Sequence, residues 1–311
     1  MWYFSSGAFL GWGLGANDAA NVMGTGVAAN LVKYRTAVCL VAVFVIVGAV
    51  VEGPKVMNTV GSLAKLDINL AFLAALSAGL VMFIMSGLAL PISASQAIVG
   101  ALIAIGLANG TAEFSLLRKV VLCWILTPIG AAVISGIAYR LLGFLLKPVL
   151  SDVTLRTVLL RIAIVVAGRY GSYALGGTNV ANVSGVYVGA GYMSPLGAAL
   201  FGGFFIALGV LTYSKKVMMT VGRDIFPLDS FTAFVAVLSQ AITAHIFTQI
   251  GVPVSSSQAI VGAVIGIGLV KNMNAISGKI VARILFGWIA TPVVAGAMCY
   301  ALLILSGFFR A

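Results

Sequence analysis

Residues 15–24 read GANDAANVMG, and residues 176–185 read GGTNVANVSG, 161 positions later. Residues 91–107 read PISASQAIVGALIAIGL, and residues 253–269 read PVSSSQAIVGAVIGIGL, 162 positions later. A third block, WILTP from Trp124 to Pro128, returns as WIATP from Trp288 to Pro292 at an offset of 164. Three blocks recurring in one order at nearly constant spacing mark an internal duplication. The chain divides into two repeats, residues 1–150 and 151–311.

The surroundings of these blocks are apolar. Of 311 residues, 61% are hydrophobic and 8% are charged, against about 25% charged in a soluble domain. A bilayer-spanning helix takes about 20 apolar residues, so the chain supplies roughly nine or ten crossings. That excludes soluble, disordered and disulfide-stapled secreted classes, and predicts an all-α polytopic membrane protein. Each repeat holds about five apolar segments, near 2–30, 35–53, 68–90, 91–110 and 114–146, then 154–191, 194–213, 229–250, 253–270 and 277–309. The first and last segments of each set exceed one span and contain Gly, Asn or Thr-Pro. They are expected to be broken, with half-helices meeting at the midplane.

Five crossings per repeat would insert the second repeat upside down relative to the first. Basic residues test this. With an external N-terminus, the inner loops hold Lys33, Arg35, Arg140, Lys147, Arg156, Arg161, Lys215, Lys216, Arg223, Lys271, Lys279 and Arg283, and the outer ones hold Lys55, Lys65, Arg118, Lys119 and Arg310. This bias of twelve to five puts both termini outside the cell membrane. The net charge of +11 therefore marks topology, and no nucleic-acid partner is expected. Inverted repeats are common in secondary transporters, whose substrates sit near the midplane at discontinuous helices.

The first motif puts Asn17, Asp18 and Asn21 at membrane depth, and the second copy matches them with Thr178, Asn179 and Asn182. A buried ionisable group in a bilayer costs a few kcal/mol and normally faces a cavity or a partner. Gly13, Gly15, Gly24 and Gly26 would let the helix open and free its carbonyls. Carboxylate, amide and carbonyl oxygens together suit Na⁺ or a proton. The plainer alternative is polar glue between helices.

The second motif puts Ser93, Ser95 and Gln96 after Pro91, and Ser255, Ser256, Ser257 and Gln258 after Pro253. Pro favours a helix's first turn and Ser its N-cap. The apolar run after each Gln is too short to span, so each motif is expected to open a helix inside the membrane. A helix N-terminus presents free N–H groups and partial positive charge, which suits an anion. Two of them meeting would surround a tetrahedral oxyanion. Neither motif carries Lys or Arg, so travelling cations would supply the compensating charge. The reading is cation-coupled oxyanion uptake.

The Gly15–Asn21 block, its second copy at Gly176–Asn182, and the two Pro-Ser-x-Ser-Gln segments resemble the duplicated signatures of the inorganic phosphate transporter (PiT) family. The likeness covers nearly the whole chain, including Gly222-Arg223-Asp224 to Pro227. It implies a sodium/phosphate symporter importing phosphate by alternating access, with proton-coupled phosphate or sulfate transport as the alternative. Na⁺ would be a co-transported ion, with no covalent cofactor. Carried over by position, the resemblance assigns Asp18, Asn21, Asn179 and Asn182 to Na⁺, and the polar motif itself adds Asn17 and Thr178. The resemblance assigns Ser93, Ser95, Gln96, Ser255, Ser256, Ser257 and Gln258, with Asn21 and Asn182, to phosphate. Two departures matter: Asn179 stands where many members have Asp, and Gln96 and Gln258 stand where many have His. Gln cannot titrate, which leans toward Na⁺.

A channel would show charge rings or a carbonyl filter, and no catalytic motif points to an enzyme. Outside the motifs, His245 reads as a buried, hydrogen-bonded residue. Glu52 and Lys55 read as interfacial anchors or supports of the site. Arg169 either pairs with a carboxylate or snorkels to the interface. Gly11 and Gly202-Gly203 serve packing within the chain or a homodimer contact.

Overall fold

The computed structural model describes residues 2–87, 92–220, 228–271 and 278–307. Its α-helices are α1 (Ser5–Ala28), α2 (Tyr34–Gly61), α3 (Ile68–Gly87), α4 (Ala94–Ala108), α5 (Phe114–Leu145), the single turn α6 (Lys147–Leu150), α7 (Val153–Gly189), α8 (Pro195–Thr220), α9 (Ser230–Ile250), α10 (Ser256–Val270) and α11 (Gly278–Ser306). Among the described residues, seven helices are long and apolar enough to cross a membrane: α2, α3, α5, α7, α8, α9 and α11. Helix α1 is long enough but carries the Asn-Asp-Asn motif. Helices α4 and α10, at 15 residues each, extend about 22 Å, short of a hydrocarbon core of about 30 Å. They are the half-helices expected from the Ser-rich starts.

Helix packing is unchanged in kind when the halves are exchanged. Matching α1–α5 with α7–α11, the pair α1/α8 becomes α7/α2, α4/α11 becomes α10/α5, α1/α3 becomes α7/α9, and α3/α11 becomes α9/α5. All of these pairs are packed against each other. Equivalent glycines make equivalent approaches. A Cβ on Gly15 would overlap the Ile206 carbonyl, and one on Gly176 would overlap that of Val45. The same holds for Gly100 against Pro292 and for Gly262 against Pro128. Each pair of helices meets backbone to backbone, as small residues permit in lipid.

These glycines explain where the fold departs from expectation. Helices α1 and α7 run unbroken through their motifs, and α5 and α11 run unbroken through Pro128 and Pro292. Gly15 and Gly176 serve close packing rather than helix opening, so the motifs present side chains and not freed carbonyls. Gly11 and Gly202-Gly203 are likewise used inside the chain, against Phe205, Val180 and Ala49. The side chains of Leu10, Leu14, Met23, Met57, Ile98 and Leu102 fill the interior. Leu122, Ile125, Ile129, Val133 and Ile137 are exposed along one face of α5, as lipid contact requires.

Candidate functional site

Asp18 is buried, 4% exposed, midway along α1. Its Oδ2 accepts hydrogen bonds from Ser256 Oγ at 2.8 Å and from Asn179 Nδ2 at 3.2 Å. Its Oδ1 accepts from Asn21 Nδ2 at 3.4 Å. Asn182 Nδ2 donates to Asn179 Oδ1 at 2.9 Å, so the second repeat's amides continue the chain of bonds. One carboxylate thus gathers α1, α7 and the first turn of α10. Asn17 stands half-buried on α1. Thr178 bonds away from the carboxylate, to Thr248 and to the Ala244 carbonyl of α9.

The helix starts are built alike. Ser93 caps α4 by accepting from the Gln96 N–H at 3.4 Å, and Ser255 caps α10 by accepting from the Gln258 N–H at 3.3 Å. Ser93 bonds Ser95 at 3.1 Å, and Ser255 bonds Ser257 at 2.8 Å. Ser257 Oγ donates to the Ile92 carbonyl at 3.2 Å, so the α10 start touches the residue leading into α4. Pro91 lies outside the described residues, as do Gly222 to Pro227. All seven Ser and Gln side chains are buried.

The electrostatics are unusual for a buried site. Among the described residues, no Lys, Arg or His pairs with Asp18. Two helix N-termini point partial positive charge into the same interior. Gln96 Oε1, Gln258 Oε1 and Asn182 Oδ1 are buried oxygens without a hydrogen-bond partner. Buried acceptors normally find one. Oxygens of this kind suit a small hard cation or a hydroxyl of a protonated oxyanion. The side chains therefore fit Na⁺ without contributed carbonyls. Glu52 and His245 were legible only as isolated residues. In the fold, Lys55 and Gln249 bond Glu52 at 2.6 and 2.9 Å, and His245 lies beside it. Arg169 is exposed and lies over the Phe44 ring, 6.0 Å from its centroid. The one available sequence signal was the Glu52–Lys55 spacing; the partners on α9 had none.

Residues 14–299 match the sequence profile described as the phosphate transporter family. The chain belongs to that family. A relative named as a phosphate permease in Methanocaldococcus jannaschii is 33% identical over 282 residues, covering 91% of this chain and 89% of the relative. The sulfate permease CysP of Bacillus subtilis is 30% identical over 309 residues, covering 97% of this chain and 86% of CysP. A solved structure described as the sodium-dependent phosphate transporter superposes with a TM-score of 0.86 over 99% of this chain and 98% of its own. At 22% identity that likeness speaks for the fold. The protein is an integral membrane transporter, not an enzyme, as its motifs lead one to expect.

Proposed function

We propose that this member of the phosphate transporter family is a secondary active transporter that imports inorganic phosphate with Na⁺, by alternating access between inverted repeats 1–150 and 151–311. One observation carries the reading. The single motif carboxylate, Asp18, accepts a hydrogen bond from Ser256 of a buried helix start, so the cation and anion regions share an atom pair. A dianion brought to N–H and O–H donors alone would lack compensating charge. Na⁺ held by Asp18, Asn21, Asn179 and Asn182 supplies it; Asn17 and Thr178 precede Asp18 and Asn179 on the same helices. The Ser and Gln side chains at 93–96 and 255–258 then bind phosphate from two sides. The expected setting is the cell membrane with both termini outside.

Labelled phosphate uptake into proteoliposomes tests this. Saturable accumulation driven by an inward Na⁺ gradient is expected. Uptake indifferent to Na⁺ but driven by a pH gradient would replace Na⁺ with H⁺, and equal flux under every gradient would refute coupling. A second reading, sulfate transport, is favoured by the likeness to CysP. Phosphate at neutral pH still carries a proton to donate and sulfate carries none, so an acceptor such as Asp18 selects phosphate. Efficient competition by sulfate would decide for the second reading.

A further inference from the structure

Outside the two motifs, the described residues hold one more titratable cluster between spanning helices. Glu52 of α2 is 8% exposed. It accepts from Lys55 Nζ at 2.6 Å, from Tyr173 Oη of α7 at 2.9 Å, and from Gln249 Nε2 of α9 at 2.9 Å. His245 of α9 places Nε2 4.0 Å from Glu52 Oε1, and its Nδ1 is 2.8 Å from the Tyr170 hydroxyl of α7. Glu52 and His245 lie on helices long and apolar enough to cross a membrane, where ionisable groups are costly and their presence points to a task.

The duplicated frame shows that packing alone does not require them. At the repeat offsets, Tyr170, Tyr173, Glu52 and His245 correspond to Phe9, Trp12, Tyr213 and Phe83. The equivalent seam is closed without an ionisable pair, by aromatic contacts, Phe9 on Phe83 at 6.1 Å between centroids and Trp12 on Tyr213 at 5.3 Å, and by a neutral hydrogen bond from Trp12 Nε1 to Thr212 Oγ1 at 2.9 Å. The ring pair Tyr170–His245, at 5.5 Å, repeats the first of these contacts. A neutral seam therefore suffices for the backbone, and one of the two copies carries a charge network in its place.

We propose that His245 and Glu52 form a proton-binding site, separate from the phosphate site, whose protonation holds α9 against α2 and α7 and slows the transport cycle. Imidazole is the side chain that changes charge across the physiological range. At 4.0 Å the neutral ring makes no hydrogen bond to Glu52. The proton taken from water turns the same contact into an ion pair. Tyr170 serves both states, because its hydroxyl donates to a neutral Nδ1 and accepts from a protonated one. The groups facing this pair are Lys55 on α2, Tyr170 and Tyr173 on α7, and Gln249 on α9. From α5, Lys119 Nζ bonds the Ile250 carbonyl at 3.3 Å. On α1, Asp18 is engaged by Asn179 and Ser256.

The cluster can reach the phosphate site through α9. Thr248 of α9 bonds Thr178, and α9 ends at Gly251, whose carbonyl accepts from Thr59 of α2. Gly251 has φ +76° and leads directly into the Ser255–Ser257 helix start. Movement of α9 against α2 thus carries the α10 N-terminus with it.

His245 is the chain's single histidine, so protein labelled with ¹³C-histidine and carrying no histidine tag gives one imidazole resonance. That resonance is expected to shift with pH as the ring takes up its proton. The functional arm rests on the phosphate-uptake reading. Uptake at fixed Na⁺ gradient is measured for wild type and His245→Phe, the residue of the equivalent seam. The substrate's own titration cancels in their ratio. The ratio is expected near one well above the resonance midpoint and to fall up to roughly tenfold one unit below it, where about nine in ten sites are protonated. Glu52→Gln should flatten the pH response while uptake well above that midpoint persists. A resonance invariant with pH, or a ratio flat with pH, overturns the proposal. If no variant moves phosphate at any pH, the uptake reading has failed, and an invariant resonance still sinks the proton site on its own.

Discussion

Replacing Asp18 by Asn separates the carboxylate's charge from its shape. Asp18 offers two oxygens to three donors: Ser256 and Asn179 at Oδ2, Asn21 at Oδ1. An amide offers one oxygen and one NH₂. With its oxygen toward Ser256 and Asn179, it loses the longest bond, the 3.4 Å contact from Asn21, at a cost of about 1 kcal/mol. Against that, the buried charge disappears, which relieves a penalty of a few kcal/mol. The Na⁺-free protein is therefore expected to be at least as heat-stable as wild type. Its response to Na⁺ should be lost. A carboxylate within about 4 Å of Na⁺ contributes roughly 2–4 kcal/mol at a moderate effective dielectric, or about 30- to 1000-fold in affinity. Wild type at a hundred times its Na⁺ dissociation constant gains about 2.7 kcal/mol. Thermal unfolding in detergent, with Na⁺ exchanged for choline, measures both quantities, and uptake in proteoliposomes measures the consequence. An Asp18→Asn protein that keeps the wild-type Na⁺ shift would refute the placement of the cation.

Ser257→Ala removes the hydroxyl that joins the α10 start to Ile92. Phosphate KM should rise about 5- to 10-fold with the Na⁺ response intact, the worth of one hydrogen bond; an unchanged KM would remove Ser257 from the anion's surroundings. Gly262→Ala drives a methyl into the Pro128 carbonyl and should destabilise by about 1–3 kcal/mol, read as a lower unfolding temperature, whereas Gly130→Ala, with open space around it, should not. Asp229 caps α9 and pairs with Lys271 at 2.8 Å. Burial alone would raise its carboxyl. The hydrogen bond from Lys271, that from the Thr232 N–H and the Lys271 charge outweigh burial and hold it below the usual carboxylate range. The pair's stabilisation is thus present above the ordinary Asp value of about 3.9 and fades as pH falls through the lowered one. Asp229→Asn should erase that acid limb of the stability curve; a curve unchanged below about pH 4 would show the pair to be inert.

The duplication, the membrane class and the short half-helices α4 and α10 were readable because each rests on local pattern: repeated strings, apolar length and a Pro-Ser start. The continuity of α1 was not readable. Gly15 looks identical in sequence whether it opens a helix or admits Ile206 of another, and only the packing of α8 decides between them. The bond from Ser256 to Asp18 spans 238 residues, so no spacing rule reaches it. The Glu52 cluster was hidden for the same reason. Its Lys55 lies three residues away, but His245 and Gln249 come from α9. Arg169 was open between two fates; in the fold it is exposed over the Phe44 ring and, among the described residues, forms no ion pair with a carboxylate.

The frame is close to symmetric and its chemistry is not. Exchange of the halves maps glycine contact onto glycine contact, yet Asp18 maps onto Asn179 and the Glu52–His245 seam onto Phe83 and Tyr213. If transport works by exchanging the conformations of two inverted halves, equal packing makes the inward and outward states nearly equal in energy. Side chains that break the symmetry then set the balance between them. On this reading Asp18 biases the state that binds Na⁺, and His245 biases the same equilibrium with pH. The two inputs should therefore interact. Na⁺ that favours the opposite state must shift the His245 midpoint, and pH must shift Na⁺ affinity by the same factor, as linkage demands. Two titrations, each repeated with and without the other ion, would show equal shifts; independence would mean that the two asymmetric sites act on different steps.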